Sequence, residues 1–256
     1  MLPSKVIVTT TTLYPDPEGK DRVRFGLACE LCQEAQKHGH LMVIADGSSD
    51  DVKDAFSKRG THVVPQEKGM GQSRRQVFRE ASKLVTPDVA GIFWTEEKPS
   101  LMAQLKGMVV HMRLCDAEVL IPSRKPECWV SYPSFQVKSE AVCLDAYNLL
   151  FARGEEKFDP MFGPVLFSPT ALRDFSEFDA EGYGLSGYIQ HHVPIFLRHS
   201  NRRVVSFAVD WEQPLEQRQQ EEGELLKKMM EHRLIQAHKF VIDYIKMYKL
   251  VGPLKD

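Results

Sequence analysis

The sequence contains no long apolar run. The longest, at residues 89–94, is about the length of a strand and far short of the ~18 residues a membrane-spanning helix needs. It also lacks an excess of charge of one sign. Lys and Arg number 33 against 35 Asp and Glu, a formal net charge of -2, so the basic surplus of a general nucleic-acid binder is missing. Cysteine is sparse: Cys29, Cys32, Cys115, Cys128 and Cys143. An odd number in a chain of 256 residues disfavours a disulfide framework. Cys29 and Cys32 form a C-x-x-C, but inside a helical pattern with Val23, Leu27 and Leu31. No second pair or suitably spaced histidines complete a zinc site, so free thiols are expected. Gly (16) and Pro (15) are near average, too few for a largely disordered chain. Residues 1–12 enter a strand-like run without a basic segment or a small-residue cleavage site, so a cytoplasmic protein without a secretory leader is expected.

What is present is alternation. Residues 5–10, 41–45, 61–65 and 89–94 are short runs rich in Val, Ile and Thr, and read as strands. Between them lie helical patterns at about 21–38, after Ser48 or Ser49 up to Gly60, and after Gly71; another follows Pro99 to about Leu114. Such alternation predicts an α/β fold with a mostly parallel sheet flanked by helices. Beyond it, strands are expected at 118–121, 165–167 and 204–209, and helices at 139–153 and about 185–199, the latter containing Pro194. From Pro214 the chain reads as helix. Leu226, Met230, Leu234, Ala237, Val241, Ile245 and Tyr248 form a stripe expected to pack on the domain, with a homo-oligomer seam as the alternative. The whole is read as one domain: a half at about 1–114, a second half at about 115–212, and a C-terminal helical extension at about 213–250.

In such sheets function gathers in the loops at the carboxyl ends of the strands. Four polar or glycine-rich segments fall there: 9–15, 46–51, 66–75 and 95–98. Asp46-Gly47-Ser48-Ser49-Asp50 offers a strand-end carboxylate, close backbone approach and free helix N–H groups. It equally suits a helix-capping turn. Lys68-Gly69-Met70-Gly71 with Arg74 and Arg75 joins flexible backbone to cations, as a diphosphate site or as a solvated basic turn. It is not a P-loop. Thr95-Glu96-Glu97-Lys98 brings adjacent carboxylates, which are hard oxygen ligands for a divalent cation.

In this order, over about residues 5–114, the pieces resemble the nucleotide-sugar-binding half of the GT-A glycosyltransferases, especially the family 2-like group. The resemblance implies a GT-A (Rossmann-like) fold and transfer of a sugar from a UDP- or GDP-linked donor to a hydroxyl acceptor. It implies that Thr9, Thr10, Thr11, Asp46, Ser48, Asp50, Lys68, Gly69, Arg74 and Arg75 hold the donor. Glu96 and Glu97 would stand where the family carries Asp-x-Asp, binding Mn²⁺ or Mg²⁺ with the diphosphate. The second half would then hold the acceptor. Asp159, Asp179 and Glu181 are candidates for a catalytic base, because they lie in loops rich in Gly, Pro and aromatics; each also reads as an ordinary turn acid. Trp129, Tyr132 and Phe135 read as sugar-stacking or core aromatics, and His191 and His192 as a metal ligand or helix-surface residues. Residues 182–187 fit G-x-G-x-x-G, but no strand precedes them, which argues against a dinucleotide fingerprint. The rivals are a sugar-phosphate nucleotidyltransferase, which would carry an Arg-bearing glycine loop after the first strand, and a non-catalytic nucleotide-binding relative.

Overall fold

A computed structural model describes residues 4–223 and 225–254. The first half alternates as β1 (Lys5–Thr12), α1 (Arg22–Lys37), β2 (Leu41–Asp46), α2 (Asp50–Ser57), β3 (His62–Pro65), α3 (Met70–Ser82) and β4 (Val89–Trp94). The second half runs α4 (Leu105–Leu114), β5 (Val119–Arg124), α5 (Ser134–Phe151), β6 (Val165–Phe167), α6 (Leu172–Glu177), α7 (Ile189–His199), β7 (Val204–Val209), α8 (Leu215–Glu222) and α9 (Leu226–Val251). The sheet order is β3-β2-β1-β4-β6-β5-β7. β6 runs antiparallel to β4 and β5; the other pairings are parallel.

Burial explains the apolar strands. All six residues of β4 are buried. Alternate residues of each strand serve opposite faces. Ile7, Val43, Ile92 and Trp94 join one core with Val77, Phe78, Phe167 and Phe175. Val6, Val8, Ile44 and Phe93 join the other with Leu31, Phe56, Met108 and Leu120. All five cysteines are free thiols, four of them buried.

Several boundaries differ from the sequence reading. β1 continues through Thr12, so Thr9 and Thr10 lie buried inside the sheet rather than at its edge. Pro99 opens a short 3₁₀ turn (Pro99–Gln104) before α4. α5 starts at Ser134, well before residue 139. Pro194 is accommodated inside α7. The C-terminal helix is two helices, α8 and α9.

The apolar stripe is corrected in part: Ala237, Val241 and Tyr248 pack against the core as expected. Leu226, Met230, Leu234 and Ile245 are exposed, Leu234 to 65%. The buried face of α9 is Phe240, Asp243, Tyr244 and Met247. Aromatics set that orientation. The Tyr244 ring meets Tyr147 of α5 at 5.2 Å, and Phe240 stacks on His191 of α7 at 4.5 Å. Large rings bury more area than the aliphatic stripe would, and they decide which way the helix turns.

Candidate functional site

The parallel strands β1, β2 and β4 deliver their carboxyl ends to one edge. At β2 the Asp46 carboxylate is fully buried. Thr12 Oγ1 donates to it at 2.6 Å, and Ser48 donates through its backbone N and its Oγ, both at 2.9 Å. Ser48 Oγ in turn accepts from Tyr14 N at 2.8 Å. Thr12 and Asp46 are direct partners in the β1–β2 register, so the bond follows from strand pairing. Asp46 and Ser48 thus clamp the loop after β1 onto the loop after β2. Asp50 points the other way: its side chain is 96% exposed and pairs with Lys53. Thr9 donates to the Phe93 carbonyl within the sheet, and Thr11 is half-buried.

Gly69 precedes α3 with φ +104°, a conformation only glycine adopts without strain. Lys68 and Gly69 are exposed. The start of α3 is already occupied by an internal anion. The Glu181 carboxylate fills the space a Cβ on Gly71 would take, and Arg75 Nη1 pairs with it at 2.9 Å. Burial alone would raise the Glu181 carboxyl; the Arg75 bond and the Gly71 backbone lower it. Asp179 lies 3.7 Å from the same Arg75 nitrogen. Asp159 is bound elsewhere. Arg124 grips it at 2.7 and 2.8 Å, and its own carboxylate accepts from Phe162 N. Arg124 also lies 2.7 Å from the buried Glu140 and 3.8 Å from the Trp129 ring centroid. Tyr132 is buried against the same guanidinium, at 4.8 Å. His191 and His192 are buried in α7, where His192 Nε2 lies 3.2 Å from Asp243.

At the end of β4 the two adjacent glutamates part. Glu97 turns toward α1, accepting from Tyr14 OH and Arg24 Nη2, both at 2.7 Å. Glu96 turns toward the second half. Its Oε2 is 3.0 Å from Lys98 Nζ, and it packs beside Gly163, whose φ of +98° and lack of a side chain leave it room. The Glu96 side chain is 42% exposed to solvent. Burial alone would raise its carboxyl; Lys98, Arg74 and Arg233 outweigh burial and hold it at about 2. Arg74 is buried between the rings of Trp94 and Tyr188, its guanidinium 5.2 and 4.7 Å from their centroids. Burial lowers its pKa, and Glu96, Tyr188 and Glu181 act against that. Arg74 Nε and Arg233 Nε are buried donors without a hydrogen-bond partner.

The structure therefore sets Lys98 against Glu96, with Arg74 and Arg233 close enough to lower its carboxyl and Glu181 acting on Arg74. Arg233 itself lies 3.7 Å from the buried Glu140 and donates to Gln236 at 3.1 Å. The structure does not bring Glu97, Asp50 or Asp159 into this cluster. Sequence reading missed Arg233. It sits in α9 among residues read only for their apolar spacing, and no local motif marks it.

No protein-family model and no curated protein matches the sequence. Among solved structures, the mannosyltransferase PcManGT of Pyrobaculum calidifontis, in complex with GDP-Man and Mn²⁺, is similar with a TM-score of 0.50. The identity is 11%, over 97% of this chain and 74% of that one. The fold is GT-A-like. Rv0371c of Mycobacterium tuberculosis H37Rv, in complex with manganese, is similar at a TM-score of 0.43 and 17% identity, over 84% and 92% of the two chains. A 4-diphosphocytidyl-2C-methyl-D-erythritol synthase from Anaerococcus prevotii is similar at 0.44 and 11% identity, over 88% and 97%. The fold assignment rests on the mannosyltransferase, which spans nearly the whole of this GT-A-like chain.

Proposed function

We propose that the chain is a nucleotide-sugar-dependent glycosyltransferase, moving a sugar from a UDP- or GDP-linked donor to a hydroxyl acceptor. The observation that supports this reading is the cluster of charges beyond β4. Glu96 lies beside Lys98 and feels Arg74 and Arg233, the latter also 3.7 Å from Glu140, and the Nε donors of both arginines are buried without partners. That surplus of fixed positive charge suits a diphosphate, and preorganised donors stabilise a leaving phosphate without reorganising.

A divalent cation is part of the reading. Among the described residues no group of three or more His, Cys, Asp or Glu side chains is gathered to hold one. Mg²⁺ is commonly bound by one or two carboxylates together with substrate phosphates. Glu96 fits that pattern; Glu97, held by Tyr14 and Arg24, does not. When bound, the ion would neutralise charge on the departing diphosphate. Arg74, Arg233 and Lys98 would orient the diphosphate.

Of the candidate carboxylates, Glu181 is the one that acts electrostatically on Arg74, and we assign it the base. It takes the acceptor hydroxyl proton as that oxygen bonds the anomeric carbon and the nucleoside diphosphate leaves with the bonding pair. Asp159 is a structural partner of Arg124 in this reading.

Calorimetric titration with UDP and GDP, with Mn²⁺ and with chelator, tests the proposal. Binding of one nucleotide is expected, weakened by about 1.5–3 kcal/mol in Arg233→Ala, the range for a hydrogen bond to a charged group. A folded protein that binds neither nucleotide under either condition would remove it.

A further inference from the structure

We infer that the outer face of α9 docks the protein on an anionic lipid bilayer. The inference stands apart from the proposed chemistry. α9 carries six Lys and Arg against two acidic residues, in a chain that has 33 against 35. Arg233 turns inward, 3.7 Å from the buried Glu140, and Asp243 is buried against Ser186 and His192. The outward face is thus left with Lys227, Lys228, Lys239 and Lys249 against Glu231, while Lys246 donates to the Gly184 carbonyl. Between these lysines stand Leu234 (65% exposed), Ile235 (57%), Ile242 (37%) and Ile245 (45%). At 26 residues, α9 presents this face over about 39 Å.

Charge and texture select the occupant. A second copy joined by a two-fold would set lysines against the same lysines. Protein–protein interface cores are depleted in Lys, whereas here lysines interrupt the aliphatic residues. A bilayer surface accepts this mosaic. Single aliphatic side chains insert below the headgroups, and lysine stems extend over them with the ammonium groups at the phosphates. Anionic lipid supplies the opposite charge that the rest of this near-neutral chain does not demand.

Co-sedimentation of the full chain with vesicles tests this. Binding is expected to phosphatidylcholine vesicles containing about 30 mol% phosphatidylglycerol, and not to pure phosphatidylcholine. Raising salt from about 0.1 M to about 0.5 M should release most of it. Each surface lysine is worth about fivefold in partitioning, so Lys227→Ala/Lys239→Ala/Lys249→Ala should lower the partition coefficient by about a hundredfold. Ile235→Ser/Ile242→Ser should lower it at least about tenfold. Leu114→Ser, an 81% exposed position on α4, should leave it unchanged. Thermal melts establish that each variant is folded. Absence of binding, equal binding to both vesicle types, or variants that bind as the parent does would overturn the inference. So would a concentration-dependent dimer lost in the isoleucine variant.

Discussion

Glu96→Gln separates the two glutamates at the end of β4 and has two readouts. The first is stability against pH. The Glu96 carboxyl falls from its ordinary 4.5 to about 2 in the folded protein. A lowered carboxylate contributes stability that is present above its unfolded pKa and lost as pH falls through the folded one. At 1.36 kcal/mol per unit the full shift would be worth about 3.4 kcal/mol. The side chain is 42% exposed, so solvent screening reduces this to about 1 kcal/mol. Urea denaturation should find Glu96→Gln less stable than the parent by that amount at pH 7. The gap should close between pH 4.5 and about 2. The second readout is ligand binding. A carboxylate beside a diphosphate repels it unless a cation intervenes. Glu96→Gln should therefore bind UDP or GDP with chelator at least as well as the parent, and lose any gain from Mn²⁺. Glu97→Gln should keep that gain, because Glu97 serves Tyr14 and Arg24 instead. If metal dependence disappears with Glu97→Gln and survives Glu96→Gln, the assignment is refuted.

Asp46→Ala removes a buried acceptor of three hydrogen bonds, and the cost should appear in equilibrium unfolding as about 2–4 kcal/mol, with Asp46→Asn costing less; an unchanged midpoint with lost nucleotide binding would show a ligand role instead. Arg124→Met strands the Asp159 and Glu140 carboxylates in the core and should destabilise by about 3–5 kcal/mol; a stable, inactive Asp159→Asn would return Asp159 to the catalytic set. Truncation after Gln213 uncovers the rings of Tyr147, Phe151 and Tyr188 that α9 packs against, and should yield an insoluble chain; a soluble fragment with the parent melting temperature would contradict this. Glu181→Gln, with donor and acceptor supplied, should lower kcat by at least about a hundredfold with nucleotide affinity retained; a fall in affinity alone would make Glu181 a strut for Arg75.

The sequence determined the alternation, the mostly parallel sheet and the positions of β2 and β4, because fully buried parallel strands require unbroken β-branched and apolar runs. It also located the carboxylates at the strand ends, since a strand that stops being apolar marks its own edge. It could not say where those carboxylates point. Asp46 turns inward because pairing with β1 sets Thr12 directly opposite it. Glu96 and Glu97 are neighbours in the chain, yet they diverge into separate charge clusters as the backbone leaves β4. Asp159 read as a loop acid, and its capture by Arg124 depends on contacts between residues distant in the chain. Arg233 comes close enough to act on Glu96 only because α9 docks through Phe240, Tyr244 and Met247. The same docking leaves Leu226, Met230, Leu234 and Ile245 outside while Ala237 and Val241 pack against the core. Periodicity identifies a helix and its candidate faces, but the rotation that buries one face is decided by which side chains fill the space against α5 and α7.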